Sequence, residues 1–310
     1  MFQEATKAKY RGSYTLNSRT EPRYPASPER ELQRVNRAYM RILRESLQAH
    51  MPEIIAACKE AQQMDSRSDA LFNTPDRIRQ AMQSVTGKVR GVMQKVAEEV
   101  EQKVYRFKLD RRIEQIANQT HLTAVEEWRR TVKSTLGVDI QQNYYTSGNY
   151  TDTLRRWTSD SMARIKSLPT STIQKMEVTL LDGFRDGKTI QEIQNDIQSA
   201  YDIDKRKAEL LARDQVSSLN AQITRMQQTD AGVKKYRWRS CHDSHVRECH
   251  AALDGKVFSW DDPPEMWYRT KKRGVVHTGR RCHPGEDIAC RCTAVPVFEY
   301  DSVDIPIENE

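Results

Sequence analysis

The chain is poor in glycine and proline, with 12 and 11 residues in 310. That excludes a collagen-like or low-complexity polypeptide. It has no run of about 18 apolar residues, so no segment is expected to span a bilayer as a helix. Its start, MFQEATKAKY, has no apolar stretch of the kind that marks a secretory leader. Folding is therefore expected in a reducing cytoplasm, where cysteines serve as thiols or metal ligands rather than disulfides. Cysteine is almost missing from the first 240 residues. The exception is Cys58, in the apolar stretch IIAAC, where packing explains it. The zinc-protease motif H-E-x-x-H is absent, and so is any C-x2-C pair. No internal repeat of fixed period is visible.

What is present is helix. Apolar residues make up 37% and charged residues 30%, a balance that suits an elongated, helix-rich, partly solvated chain. Residues 1–28 lack apolar periodicity and read as a mobile N-terminal arm. From Ser27-Pro28, a cap followed by a first-turn proline, a helical domain spans 29–140. In it Leu32, Val35, Tyr39, Ile42 and Leu43 share one face, and Val85, Val89, Val92, Met93, Val96 and Val100 form a second stripe. Pro52 suggests a break, residues 65–69 a loop, and Thr74-Pro75-Asp76 a new helix start. A helical region, 141–232, follows a Gly- and Tyr-bearing crossover at 136–152. Gly187 ends one of its helices, and Thr189-Ile190-Gln191-Glu192 has the spacing of a capping box. The next inner faces are Ile190, Ile193 and Ile197, then Val216, Leu219, Ile223 and Met226. At AGVKKYRWRS the pattern changes to short alternation and turns. This marks a small C-terminal α+β domain over 233–300, followed by an acidic tail, 301–310. The expected fold class is mainly α, with that small α+β domain at the end.

Five of the six cysteines lie between Cys241 and Cys292, with five of the seven histidines. So dense a set of sulfur and imidazole suits a tetrahedral zinc ion, and a unit this small gains from a staple. Cys290 and Cys292 would share one face of a strand. The ligand set this favours is Cys290, Cys292, His250 and either Cys282 or His283. Packed thiols without metal are the alternative. A second alternative is a metal-dependent nuclease with His250 as base and Asp243 on a catalytic cation. Arg269, Lys271, Lys272, Arg273, Arg280 and Arg281 form a basic loop, RTKKRGVVHTGRR, that could contact DNA phosphates without reading bases. The net charge of +7 favours polyanions without naming one.

The order of motifs over about residues 170–300 resembles the phage head morphogenesis, or minor capsid, family typified by the phage Mu F protein. The helix LLARDQVSSLNAQITRMQQTDAGVKKYRW precedes CHDSHVRECHAALDGKVFSWDDPP, and HPGEDIACRC closes the unit. A W-x4-D-x3-R-x2-H-x3-D-G pattern falls on Trp238, Asp243, Arg247, His250, Asp254 and Gly255. One departure is that Cys249 stands alone where some members pair cysteines. The resemblance implies a non-enzymatic virion protein, made in the host cytoplasm and placed at the portal vertex or head interior. Its implied partners are the portal protein, inner capsid or scaffold proteins and double-stranded DNA, and its implied roles are in procapsid assembly, packaging or DNA ejection. The residues themselves leave open a virion DNA-binding protein or a nuclease.

Overall fold

The computed structural model describes residues 15–66, 75–141, 145, 148–186, 188–299 and 302–305. Five long helices follow a short first strand: α1 (Ala26–Ser66), α2 (Pro75–Arg106), α3 (Leu109–Leu136), α4 (Gly148–Arg185) and α5 (Ile190–Asp230). A four-stranded antiparallel sheet is built from β1 (Thr15–Asn17), β2 (Lys235–Arg239), β3 (Val257–Ser259) and β6 (Thr293–Glu299), in the order β1-β6-β2-β3. Between its strands lie the short helix α6 (Glu248–Leu253) and the hairpin of β4 (Glu265–Thr270) and β5 (Gly274–Arg281). The protein is mainly α with a C-terminal α+β region. No described helix is long and apolar enough to cross a membrane.

The contacts divide the chain into two compact units, neither continuous in sequence. The first holds residues up to Leu32, Ile113–Ser159 and everything from Leu211 on; the second holds Gln33–Arg112 and Asp160–Leu210. The described elements of the second unit are all helices. Its core includes Met40, Leu43, Val89, Met93, Val96, Met176, Leu180 and Ile193, which recur at the three- and four-residue spacing of a buried helix face. Polar ties join helices far apart in sequence. Asn36 Nδ2 donates to the Ala208 carbonyl at 2.8 Å, and Lys175 Nζ lies 2.8 Å from the buried Asp204 carboxylate. The capping box forms as the sequence predicts: Glu192 Oε2 accepts from the Thr189 amide at 2.7 Å, and Thr189 Oγ1 from the Glu192 amide at 3.3 Å.

Several local expectations change. Pro52 does not break α1, because buried Leu47 and Ile54 on either side of it hold the helix in place. α1 begins at Ala26, before Ser27 and Pro28. Lys108, at φ +50°, turns the chain between α2 and α3. Residues 67–69 of the expected loop, Thr74, Gly187 and the side chains of Cys58, Val85 and Ile190 lie outside the described residues.

The first unit corrects the arm and the tail. Thr15–Asn17 pair with β6 in register Thr15↔Glu299. The chain then runs along α3, where the Arg19 amide donates to Thr135 Oγ1 at 3.1 Å and the Arg23 amide to Glu127 Oε2 at 3.0 Å. From residue 15 on the arm is therefore an ordered sheet edge, joined by partners more than a hundred residues away that no local pattern reveals. At the other end Val303 and Ile305 are buried. The Asp304 amide donates to the Ala231 carbonyl at 3.0 Å, so this part of the acidic tail is packed. Gly232, at φ +72°, makes that contact possible: a Cβ there would lie 1.9 Å from the Ser302 carbonyl oxygen.

Candidate metal centre

Three elements of the first unit meet around Trp238, which is fully buried on β2. α6 brings in His250, and the segment just before β6 brings in Cys290 and Cys292. The Pro284-Gly285 turn seats that closing segment on α5. Gly285 has φ +86°, and a Cβ there would come within 2.9 Å of Ala221. Ser217 on α5 places its hydroxyl against the Gly285 carbonyl at 3.1 Å and also against the Cys290 carbonyl. The Ala289 amide donates to Asp214 Oδ1 at 2.9 Å.

The ligating atoms of His250, Cys290 and Cys292 lie within 4.8 Å of one another, and all three residues are buried. His250 Nδ1 is 3.6 Å from each sulfur. Its Nε2 faces Asp287 Oδ2 at 3.2 Å, a close ion pair but off the line of a good hydrogen bond. Asp287 is itself buried. It also takes Arg247 at 3.3 Å, Arg280 at 2.5 Å and the Ile288 amide at 2.9 Å.

Burial would hold Asp287 protonated, but His250, Arg247 and Arg280 outweigh it and bring its pKa down to about 2. Burial would likewise lower His250, but the Asp287 carboxylate on one nitrogen and the Cys290 sulfur on the other raise it to about 9. The Cys292 thiol beside Cys290, with His250, draws Cys290 down to about 5 against its own burial, while Cys292 is pushed up by that same neighbour.

Of the residues expected to bind metal, His250, Cys290 and Cys292 converge. Cys290 and Cys292 do so from an extended loop just ahead of β6, not from within a strand. Cys282 and His283 do not join them. Cys282 is buried in the aromatic core with Tyr236, Trp260 and Met266. His283 Nδ1 bonds the Tyr236 hydroxyl at 3.0 Å, with the ring against Trp260 at 4.8 Å between centroids. Sequence reasoning gave Asp287 no role, although it holds the imidazole; its place in P-G-E-D beside the cysteines is the one available signal. Asp254, present in the motif, braces the loop after β2 through the Ser240 amide at 2.7 Å and His242 Nε2 at 2.9 Å.

The basic loop is the β4–β5 hairpin. Arg269 pairs with Glu248 at 2.8 Å, Arg280 with Asp287, and Arg281 with Asp262. Lys271, Lys272 and Arg273 form the exposed tip, and none of the ion pairs found among the described residues involves them. The proposed nuclease base gains nothing from this geometry. His250 is 2% exposed with both nitrogens engaged, and the Asp243 carboxylate is held by Arg291. A larger cavity in the helical unit, about 1120 Å³, is lined by residues such as Tyr39, Met93, Lys166 and Ile173, with no histidine or cysteine.

Fold and site together define a mainly helical protein that ends in a small α+β module closed around a histidine–thiol cluster. Residues 174–295, about two-fifths of the chain, match the family model described as Phage Mu protein F like protein, so this part of the chain is similar to that family. An uncharacterized protein of Haemophilus influenzae is 29% identical over 168 residues, 54% of this chain and 34% of that protein. The NAD(+)--arginine ADP-ribosyltransferase EFV of Enterococcus faecalis is 27% identical over 143 residues, 44% of this chain and 28% of that protein. The chain thus spans about a third or less of the length of these relatives. No solved structure matches it.

Proposed function

We propose that the protein is a non-enzymatic component of the phage particle that joins the portal vertex or inner capsid during procapsid assembly. The observation that carries this reading is the coincidence of the Mu F-like match with one physical centre. Trp238, Arg247, His250 and the C-R-C segment, all in the matched region, pack around or brace the same buried cluster, and Asp254 braces the loop after β2. Most of these side chains are buried between three segments, as expected of an assembly module rather than of an open catalytic site. The transferase named among the relatives shares 28% of its length with this chain, and its activity is not carried over.

Quantitative proteomics of empty and filled heads from the phage that encodes the protein tests this reading. The polypeptide should be found in both, at low copy number, and should co-purify with the portal protein when the two are co-expressed. Absence from both kinds of head removes the reading.

The hairpin tip favours an added role in touching packaged DNA, because three cationic side chains stand there free of the carboxylates that hold Arg269, Arg280 and Arg281. Replacing Lys271, Lys272 and Arg273 with alanine should lower the slope of log affinity against log salt by about 0.9 per lost phosphate contact. An unchanged slope excludes the tip from the interface.

A further inference from the structure

We propose that Cys241, His250, Cys290 and Cys292 form a tetrahedral zinc site, in which Cys241 supplies the fourth ligand and the metal joins three separate segments of the C-terminal module. This inference does not depend on the role in head assembly.

The geometry of the three converged residues is that of ligands. With Zn–S about 2.3 Å and Zn–N about 2.05 Å, two corners of a tetrahedron carrying nitrogen and sulfur stand about 3.6 Å apart. His250 Nδ1 is 3.6 Å from both sulfurs. One linear hydrogen bond does not account for both distances, since Nδ1, as donor or as acceptor, aims at one sulfur at a time. Asp287 stands against the opposite nitrogen at 3.2 Å, where a carboxylate commonly backs a metal-binding imidazole. The Cys292 amide points at the Cys290 sulfur at 3.4 Å. The buried Trp238 indole N–H lacks a hydrogen-bond partner, and the thiol cluster lies beside it in the same core.

A cavity of about 130 Å³ opens directly on these three residues, and Cys241 lines it. Asp243 and His245 line it too; both carboxylate oxygens of Asp243 are taken, by the His245 amide and by Arg291, while Cys241, exposed like His245, is the one further thiol on the wall. Arg213, Arg247 and Arg291 complete the wall. Each is paired with a carboxylate, Glu29, Asp287 and Asp243 in turn, so the wall offers no surplus positive charge against a cation. His242 and Ala289, the residues next to Cys241 and Cys290, hold left-handed backbone at φ +54° and +52°. Cys282 does not line the cavity.

The test uses the full chain purified without chelators. Elemental analysis should find about one zinc per chain. Cobalt substitution should then give the visible bands of a tetrahedral site and a sulfur-to-cobalt charge-transfer band. C241S should keep the helical circular dichroism of the parent, weaken metal binding about tenfold or more and lower the charge-transfer band by the share of one thiolate. C282S should match the parent in both. D287N, which alters a positioning residue, should weaken binding about 10–100-fold with the cobalt spectrum still tetrahedral. The proposal is overturned by metal-free protein that takes up neither ion, by a C241S spectrum identical to the parent's, or by loss of the site in C282S.

Discussion

The helical unit and the C-terminal module are stabilised in different ways. The helical unit buries long aliphatic stripes, Met40 and Leu43 on α1 against Val89, Met93 and Val96 on α2, and any side chain of similar size and apolarity would serve at many of these places. The module buries Tyr236, Trp238 and Trp260 together with a carboxylate, two histidines and several thiols. Here each polar group depends on a named partner, because an unpaired buried charge is costly. Substitutions should therefore act in a graded way in the first region and through specific partners in the second.

The largest contrast is between Trp238→Ala and Leu43→Ala. Both remove a fully buried side chain and should cost about 3–5 and 2–5 kcal/mol respectively in urea unfolding. Only Trp238→Ala should also expose Cys290 and Cys292 to a thiol reagent under native conditions. Equal thiol exposure in both variants would break the comparison. Next, Gly232→Ala forces a Cβ onto the Ser302 carbonyl at positive φ and should cost about 1–3 kcal/mol. Limited proteolysis should detect it as early cleavage beyond Ser302.

Acid sharpens the same contrast. Asp287 has a folded pKa of about 2 against an ordinary 3.8. Its contribution is thus fully present above 3.8 and lost as pH falls through about 2. Asp204 in the helical unit is also lowered, by Lys175 and Thr172 against its own burial, and acts in the same direction. Asp287→Asn should flatten the acid limb of the urea midpoint against pH in metal-free protein more than Asp204→Asn does. The smallest effect expected is a gain. Ala289→Gly relieves a left-handed alanine at φ +52° and should stabilise by about 0.5–1 kcal/mol, read as a rise in urea midpoint.

The helices were legible because burial of one face repeats locally: Val89, Val92, Met93, Val96 and Val100 are all buried, as their spacing predicts. The capping box at Thr189 was legible for the same reason, since both partners lie within one turn. In the module the sequence singled out His250, Cys290 and Cys292 by residue type and motif, but could not choose among the other cysteines and histidines. Cys282 and His283 are adjacent in sequence to good candidates yet face the aromatic core, whereas Cys241, about fifty residues from Cys292, lines the cavity.

By itself, then, the sequence determined the helical stripes, the change of character near residue 232, the Mu F-like motif and the chemical types available at its centre. Each of these is encoded in neighbours along the chain. Only the tertiary structure decided that Thr15–Asn17 complete the sheet, that the tail packs at Gly232, and that Asp287 holds His250 from behind. It also decided that half of the basic loop is neutralised by carboxylates. These outcomes depend on pairings across loops that carry no periodic signal, where proximity is set by how α5 and the sheet seat the closing turn.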